Sequence, residues 1–190
     1  GSSIPMPGAA DAEADGICED PEPPSGPLRP GDALDLTVVA EAGDWSAFAD
    51  AEGAVHAAAA ALVRHIQGHG LAGREANVVL ADDALLRSLN KTYRAKDKPT
   101  NVLSFPFRAP PGAGTETARC LGDVILAAET LQREAVELAI APGDHLQHLV
   151  IHGLLHLLGH DHLEDEQAQR MEAIETAVLA GLGIADPYAP

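Results

Sequence analysis

The chain has 190 residues and carries 12 lysines and arginines against 29 aspartates and glutamates, which gives a formal net charge of −17. This length provides one compact domain with a terminal segment to spare. The acidic balance excludes a protein that coats DNA or an anionic membrane with a broad basic face, so any contact with nucleic acid must be local.

The sequence also limits the location and the chemistry of the protein. No apolar run approaches the roughly 18 residues that a membrane span needs, so we expect a cytoplasmic protein without membrane contact. The two cysteines, Cys18 and Cys120, provide neither a disulfide framework nor a thiolate cluster. The nine histidines make imidazole the expected ligand of any bound metal.

The N-terminal segment differs in composition from the rest of the chain. Residues 1–30 hold seven of the fourteen prolines, six acidic residues and a single base, Arg29. Such a composition buries too little apolar surface to offset the entropy lost on ordering. We therefore expect a disordered acidic leader over residues 1–33, followed by one folded domain over residues 34–190.

The folded domain is expected to mix strands and helices. Four strands are predicted, at residues 34–38, 78–80, 101–107 and 123–126. The last strand is short enough to form a hairpin or to lie at a sheet edge. Five helices are predicted, at residues 46–67, 84–93, 128–140, 144–158 and 164–181. Because strands and helices do not alternate strictly, the pattern indicates an α+β fold with a small mixed sheet covered by helices.

A histidine motif, HGLLHLLGHDH, occupies residues 152–162. His152 and His156 are four residues apart, so a helix presents both imidazoles on one face. Gly159 can end that helix in the left-handed conformation and turn the chain back, which brings His162 to the same ion. Three histidine ligands with an open fourth position are typical of a catalytic zinc site. The motif therefore predicts one Zn²⁺ per chain, at the end of a C-terminal helix and in the turn after it.

The histidines have two other interpretations. The spacing matches the metzincin protease motif HExxHxxGxxH, but Gly153 stands where those proteases carry the glutamate that acts as general base. His145, His148, His152 and His156 could instead form a solvated or metal-scavenging stripe. Only the set ending in His162 uses the chain reversal, so His148 is expected to support a ligand or to face substrate.

A second informative stretch, YRAKDKPTNVLSFPF, covers residues 93–107. Lys91, Lys96 and Lys98 are the only lysines of the protein, and Arg94 lies among them. The plain interpretation is an exposed helix end, where lysines interact favourably with the helix dipole. The functional interpretation is a site for a phosphate-bearing substrate. Arg94 would bind the phosphate, the lysines would add general electrostatic attraction, and Tyr93 or Phe105 would stack on a base.

Together these stretches, with Gly122-Asp123-Val124 and Asp186-Pro187-Tyr188, resemble the bacterial YbeY family of ribosomal-RNA maturation endoribonucleases over roughly residues 34–188. The resemblance implies an α+β, zinc-dependent endoribonuclease specific for single-stranded RNA. Its implied roles are processing of the three-prime end of small-subunit ribosomal RNA and ribosome quality control. The implied partners are a ribosomal RNA precursor and the small ribosomal subunit.

The resemblance also assigns roles to individual residues. His152, His156 and His162 match the family's metal ligands, and Arg94 matches its functional arginine. Arg94 and His156 are the expected catalytic residues, while Arg94, Lys96 and Lys98 are the expected substrate-binding residues. His160 departs from the family, in which a tyrosine is common at that place.

Several alternatives stay open at this level. The attacking group is either a metal-activated water or the ribose 2′-hydroxyl. Asp161 either orients a ligand histidine or caps the following helix. The competing functions are a metzincin-like metalloprotease that lacks the usual glutamate and a non-enzymatic ribosome assembly factor that uses metal only for stability.

Deleting residues 1–30 tests the leader hypothesis. Because this composition predicts no packed contact with the domain, the thermal unfolding midpoint and the rate of RNA cleavage should remain nearly unchanged. Thermal unfolding and cleavage assays on the full and shortened chains make the comparison. A large loss of stability would show that the segment docks on the domain.

Overall fold

The computed structural model describes residues 33–66, 71–114, 119–161 and 163–189. The expected leader therefore lies outside the described residues except for residue 33, and so does His162, the predicted third metal ligand. Among the helices within these ranges, none combines the length and the apolar composition needed to cross a membrane.

The described part of the chain contains one four-stranded mixed sheet. Its strands are β1 (Asp35–Ala40), β2 (Glu75–Ala81), β3 (Val102–Pro106) and β4 (Cys120–Ala127). They lie in the order β1-β2-β4-β3, with β1, β2 and β4 parallel and β3 antiparallel to β4. All four predicted strands are present, and the mixed sheet confirms the α+β prediction.

Strand β4 occupies a different place from the one predicted. It has eight residues rather than the four expected at 123–126, and it lies between β2 and β3. The antiparallel pairing with β3 agrees with the predicted hairpin, but the predicted edge position is wrong. Val124 and Leu126 pack into the apolar cluster on one face of the sheet, and Ile125 and Ala127 into the cluster on the other. An apolar run buried on both faces is typical of an internal strand.

Five α-helices in the described residues cover this sheet. They are α1 (Ala51–His65), α2 (Asp83–Arg94), α3 (Ala128–Leu138), α4 (Pro142–Leu157) and α5 (Asp165–Gly181). Helices α1, α4 and α5 contribute to the larger apolar cluster on one face, and α2 packs against the other face. The side chain of Asp82 caps α2 by accepting a hydrogen bond from the Leu85 amide at 2.9 Å.

The helix predicted over residues 46–67 is interrupted near its start. A short 3₁₀ helix, Ser46–Phe48, precedes α1, and Ala49 between them has a φ of +60°. Asp50 then caps α1 by accepting a hydrogen bond from the Gly53 amide at 3.0 Å. An aspartate at this position favours a new helix start over a continuous helix, which explains the break.

Helix α4 is the most deeply buried helix of the fold. Pro142 stands in its first turn, where the missing amide hydrogen costs nothing. Apolar side chains from nearly every side of the helix are buried: Leu146, Leu149, Val150, Ile151, Leu154, Leu155 and Leu157. The partly exposed His152 and His156 lie on the flank that remains accessible. The helix therefore presents its imidazoles from a rigid, tightly packed element.

Gly153 allows α4 to approach the sheet closely. A Cβ atom at this position would lie 2.6 Å from Val124 Cγ1 and 3.2 Å from Ser104 Oγ. The Ser104 hydroxyl also donates a hydrogen bond to the Gly153 carbonyl at 3.2 Å. Because the contact is with β3 and β4, residue 153 faces the sheet rather than an open site. Any larger residue there pushes the helix away from both strands.

Gly153→Ala should therefore destabilise the protein by about 1–3 kcal/mol, because the added methyl group overpacks the contact with Val124. Urea unfolding measures the change. The matched control is Gly181→Ala in α5, where a Cβ atom meets nothing within 4 Å, so stability should stay the same or rise slightly. Equal stability losses in the two variants would contradict the close approach.

Candidate active site

His152 and His156 meet at one point of a surface cleft. Their Nε2 atoms lie 3.0 Å apart and their ring centroids 4.6 Å apart. Both rings line a cleft of about 600 Å³ between the end of α4, the free edge of β3 and the end of α2. The predicted pairing of these two imidazoles on one helical face is therefore present in the structure.

Helix α4 ends as its glycine predicts. Gly159 has a φ of +97°, and its amide donates a hydrogen bond to the His156 carbonyl at 3.0 Å. The amide of His160 donates to the Leu155 carbonyl at 3.0 Å. These two bonds form a Schellman motif, which stops the helix and turns the chain. Gly159, His160 and Asp161 consequently line the cleft beside the two histidines.

The interpretation of Asp161 as a helix cap is wrong. The N-cap residue of α5 is Glu164, three residues further along the chain. Asp161 lines the histidine cleft, which leaves its proposed role near the ligand histidines as a prediction. His160 lines the same cleft, and burial together with the nearby Arg170 lowers the pKa of its imidazole. A neutral ring is therefore favoured at this position.

A fully buried carboxylate lies behind His152. Glu175 of α5 is 0% exposed, and its Oε1 lies 2.5 Å from His152 Nδ1. Its Oε2 lies 3.1 Å from His148 Nε2 and accepts a short hydrogen bond from the Tyr188 hydroxyl. Burial alone raises the pKa of this carboxyl, but the bonds from His148, His152 and Tyr188 outweigh burial and lower its pKa to about 2. Glu175 is therefore ionised and accepts hydrogen bonds from all three side chains.

This arrangement suits a cation between the two histidines. With Nδ1 of His152 donating to Glu175, Nε2 of the same ring carries the lone pair and points at His156. Two nitrogens that each lie 2.0–2.1 Å from a tetrahedral zinc are about 3.3 Å apart, close to the observed 3.0 Å. Within the residues that the structure describes, no three His, Cys, Asp or Glu side chains form a metal-binding group. His162 lies outside these residues, so its place as third ligand stays a prediction.

Arg94 lines the same cleft as the two histidines. It is the last residue of α2, and its Nη2 donates a hydrogen bond to the Ser104 carbonyl at 3.2 Å. Its guanidinium carbon lies 5.5 Å from the centre of the Phe105 ring, and Tyr93 packs edge-on against the same ring at 5.3 Å. The guanidinium is thus held at the mouth of the cleft, with its remaining donors available to a ligand.

The two predicted substrate-binding lysines lie apart from this cleft. Lys96 and Lys98 are exposed in the loop between α2 and β3, and neither is among the described residues that line the cleft. Asp97 between them forms an ion pair with Arg87 at 2.8 Å. Arg108, which the sequence analysis did not single out, lines the cleft instead. The role of the lysines stays a prediction.

The other histidines of α4 make different contacts. His148 turns away from the cleft towards Glu175 and Tyr188, so it supports the site from behind. Buried His145 lies 3.0 Å from Glu134 Oε1, and the Asn101 amide donates to the same carboxylate. His145 therefore joins α3, α4 and the start of β3. The structure does not form one solvated stripe from these four side chains.

Sequence reasoning missed Glu175, and it noted Tyr188 only as part of the Asp-Pro-Tyr stretch, without a role. Glu175 occurs in the apolar repeat of α5 together with Met171, Ile174 and Val178. The structure buries Met171 of this repeat to 1% exposure. A glutamate at a core position requires a hydrogen-bonding partner, and that signal was available in the sequence. The partners of Glu175 are remote along the chain, so the sequence did not reveal which residues they are.

Comparison with known proteins finds relatives over most of the chain. The family model described as Endoribonuclease YbeY matches residues 47–183. Endoribonuclease YbeY of Parvibaculum lavamentivorans is 48% identical over 164 residues, which is 82% of this chain and 85% of that protein. Endoribonuclease YbeY of Azorhizobium caulinodans is 47% identical over 157 residues, which is 82% of this chain and 97% of that protein.

A solution structure of a Thermotoga maritima protein is similar at 20% identity, with a TM-score of 0.47, over 82% of this chain and 99% of that chain. The range matched by the family model contains Arg94 and the whole histidine motif, while Tyr188 lies beyond its end.

Proposed function

The chain belongs to the Endoribonuclease YbeY family, and on this premise we propose that the histidine cleft is the active site of an endoribonuclease. Its substrate is single-stranded precursor ribosomal RNA, and its place of action is the small ribosomal subunit in the cytoplasm. The proposal includes maturation of the three-prime end of the small-subunit RNA and ribosome quality control. Zinc, held by His152, His156 and His162, is the proposed cofactor.

One observation carries the proposal. The paired imidazoles of His152 and His156 and the guanidinium of Arg94 line the same cleft of about 600 Å³. Cleavage of a phosphodiester needs a Lewis acid that activates the attacking oxygen. It also needs a cation that balances the negative charge developing on the oxygens bound to phosphorus. In a chain of net charge −17, a cleft lined by this arginine and the two histidines is a local exception to a repulsive surface.

A zinc ion held by His152, His156 and His162 would supply Lewis-acid chemistry, which lowers the pKa of a water and polarises a phosphoryl oxygen. The protein residues do the rest. His152 and His156 offer Nε2 nitrogens towards one point, and Glu175 holds the His152 ring in place. Arg94 binds a non-bridging phosphate oxygen, with its orientation fixed by the Ser104 carbonyl and the Phe105 ring. Attack by the ribose 2′-hydroxyl instead of water uses the same contacts.

Two aromatic side chains next to Arg94 suit an unpaired strand, although neither Tyr93 nor Phe105 is among the described residues that line the cleft itself. Tyr93 is 63% exposed beside Arg94, and its ring contacts Phe105 edge-on. An aromatic side chain at this position can stack on a base that has left its own stack, which a base inside a duplex cannot offer. Recognition through one arginine and a stacking surface suits a substrate that is flexible and single-stranded.

The geometry disfavours the protease alternative. Residue 153 faces Val124 and Ser104, so no side chain at this position reaches the cleft to act as a general base. The free edge of β3 is also poorly suited to pair with an extended peptide, because Arg94 occupies the Ser104 carbonyl and Pro106 lacks an amide hydrogen. The alternative of a non-enzymatic assembly factor differs from the proposal only because such a protein does not cleave RNA. The RNA cleavage assays described below therefore distinguish the two.

We expect about one zinc ion per chain in the purified protein, as a three-histidine site implies. Replacing His152, His156 or His162 by alanine should abolish stoichiometric zinc, because two ligands bind weakly. Elemental analysis measures the metal, and the same preparations are assayed on single-stranded and duplex RNA. His145→Ala is the matched control and should keep its zinc, since His145 contacts Glu134 rather than the cleft. Full zinc in His162→Ala would refute the three-histidine set, and zinc-loaded wild type without cleavage would favour the assembly factor.

Arg94→Lys should keep the fold and the zinc but slow RNA cleavage about a hundredfold or more, the usual effect of losing one transition-state charge contact. Lysine offers a point charge where arginine offers two parallel donors, and it cannot reproduce the contact with Phe105. Single-turnover cleavage with zinc-loaded protein measures the difference.

Lys96→Ala and Lys98→Ala provide the comparison on the same loop. Each should weaken RNA binding modestly and reduce the slope of its salt dependence by about one ion, because the lysines contribute only general attraction. Wild-type cleavage by Arg94→Lys would instead show that the arginine is a surface residue.

A further inference from the structure

Three hydrogen bonds from distant parts of the chain converge on Glu175. Two come from histidines of α4, and the third comes from Tyr188 in the segment that follows α5. With 0% exposure, the carboxylate has no solvent to replace a missing partner. Leaving one such group unsatisfied is costly, so these contacts act as a unit.

The contact with His152 determines which ring nitrogen faces the cleft with a lone pair. A neutral imidazole carries its proton on either Nδ1 or Nε2, and the partner of one nitrogen decides the state of the other. Glu175 already accepts a hydrogen bond from the Tyr188 hydroxyl, and a carboxylate oxygen at 2.5 Å favours the proton on Nδ1 of His152 as the donor of this contact. Nε2 is then left as an acceptor beside His156.

Tyr188 fixes the carboxylate from the other side. Its hydroxyl donates to Glu175 Oε2, and its ring stands perpendicular to the His148 ring with centroids 5.7 Å apart. The segment leading to it is shaped by Asp186, whose Oδ1 accepts hydrogen bonds from the Tyr188 amide at 2.8 Å and from the Thr176 hydroxyl at 3.2 Å. The Asp-Pro-Tyr sequence thus forms a turn that places one hydroxyl on a buried carboxylate.

We propose that Glu175 is a positioning residue that fixes His152 as the Nδ1–H tautomer, and that Tyr188 anchors Glu175 for this task. The inference rests on the proposed function, in which Nε2 of His152 binds the metal. It assigns the C-terminal Asp-Pro-Tyr turn to the support of the active site from behind. The alternative is that the network only cross-links α4, α5 and the C-terminal turn.

The central experiment compares Glu175→Gln with the wild type in two measurements. Long-range ¹H–¹⁵N NMR of ¹⁵N-histidine-labelled, metal-free protein reports the tautomer of His152, whose signals are assigned by their loss in His152→Ala. The wild type should show the Nδ1–H form, and Glu175→Gln a mixture of tautomers, because an amide is a weaker acceptor and brings a donor of its own. Chelator competition should show zinc bound about 10–100-fold more weakly by the variant.

Tyr188→Phe keeps the test decisive if Glu175→Gln does not fold. This substitution removes one hydroxyl and leaves the carboxylate and the ring in place. It should weaken zinc binding about three- to tenfold, which is less than the effect of Glu175→Gln, because Glu175 itself still contacts His152. Thr176→Val is the matched control, since it removes the other side-chain contact of the same turn without touching Glu175. This control should bind zinc as the wild type does and keep the Nδ1–H tautomer.

The outcomes separate this inference from the proposed function. An unchanged His152 tautomer and unchanged zinc affinity in Glu175→Gln would overturn the positioning role. Equal losses of zinc affinity in Tyr188→Phe and Thr176→Val would overturn the anchoring role, because docking of the turn would then explain both. If the wild type bound no zinc, the proposed function would fail, whereas the tautomer measurement on metal-free protein would still decide the role of Glu175.

Discussion

The close approach of helix α4 to the sheet is the constraint on which the site depends. Gly153 leaves no Cβ against Val124, so the helix backbone lies near β3 and β4. At about 100° of rotation per residue, His152 and His156 then fall on the flank beside this contact. That flank borders the free edge of β3, whose Ser104 carbonyl holds Arg94. One packing contact therefore brings residues from three elements to a common cleft.

Electrostatics divides this site into two layers. The cleft holds imidazoles and arginine, and the ionised carboxylate of Glu175 lies behind it, out of contact with solvent. An anionic substrate thus meets donors and cations first, while the negative charge is neutralised by hydrogen bonds from the histidines and Tyr188. This separation keeps the charge of Glu175 out of the cleft that the proposed function assigns to a phosphate, where Asp161 is the carboxylate among the described lining residues.

The elements that the sequence predicted well are those with strong local signals. The period-2 pattern of β1, the Asp cap of α2, and the Gly159 stop of α4 each depend on residues within one or two turns of the chain. The errors had two different causes. The internal position of β4 depends on pairing with β2, about 46 residues away along the chain, whereas the break before α1 depends on a local signal, the cap at Asp50.

By itself, the sequence determined the fold class, the helical pairing of His152 and His156, and the chemical character of the loop at Arg94, because spacing and residue type suffice for these. Only the tertiary structure decided that Arg94 rather than Lys96 or Lys98 lines the cleft, and that residue 153 faces the sheet. It likewise decided that Glu175 and Tyr188 complete the support of His152. These contacts join residues far apart in the chain, and their geometry follows from how buried surfaces pack, which no local pattern encodes.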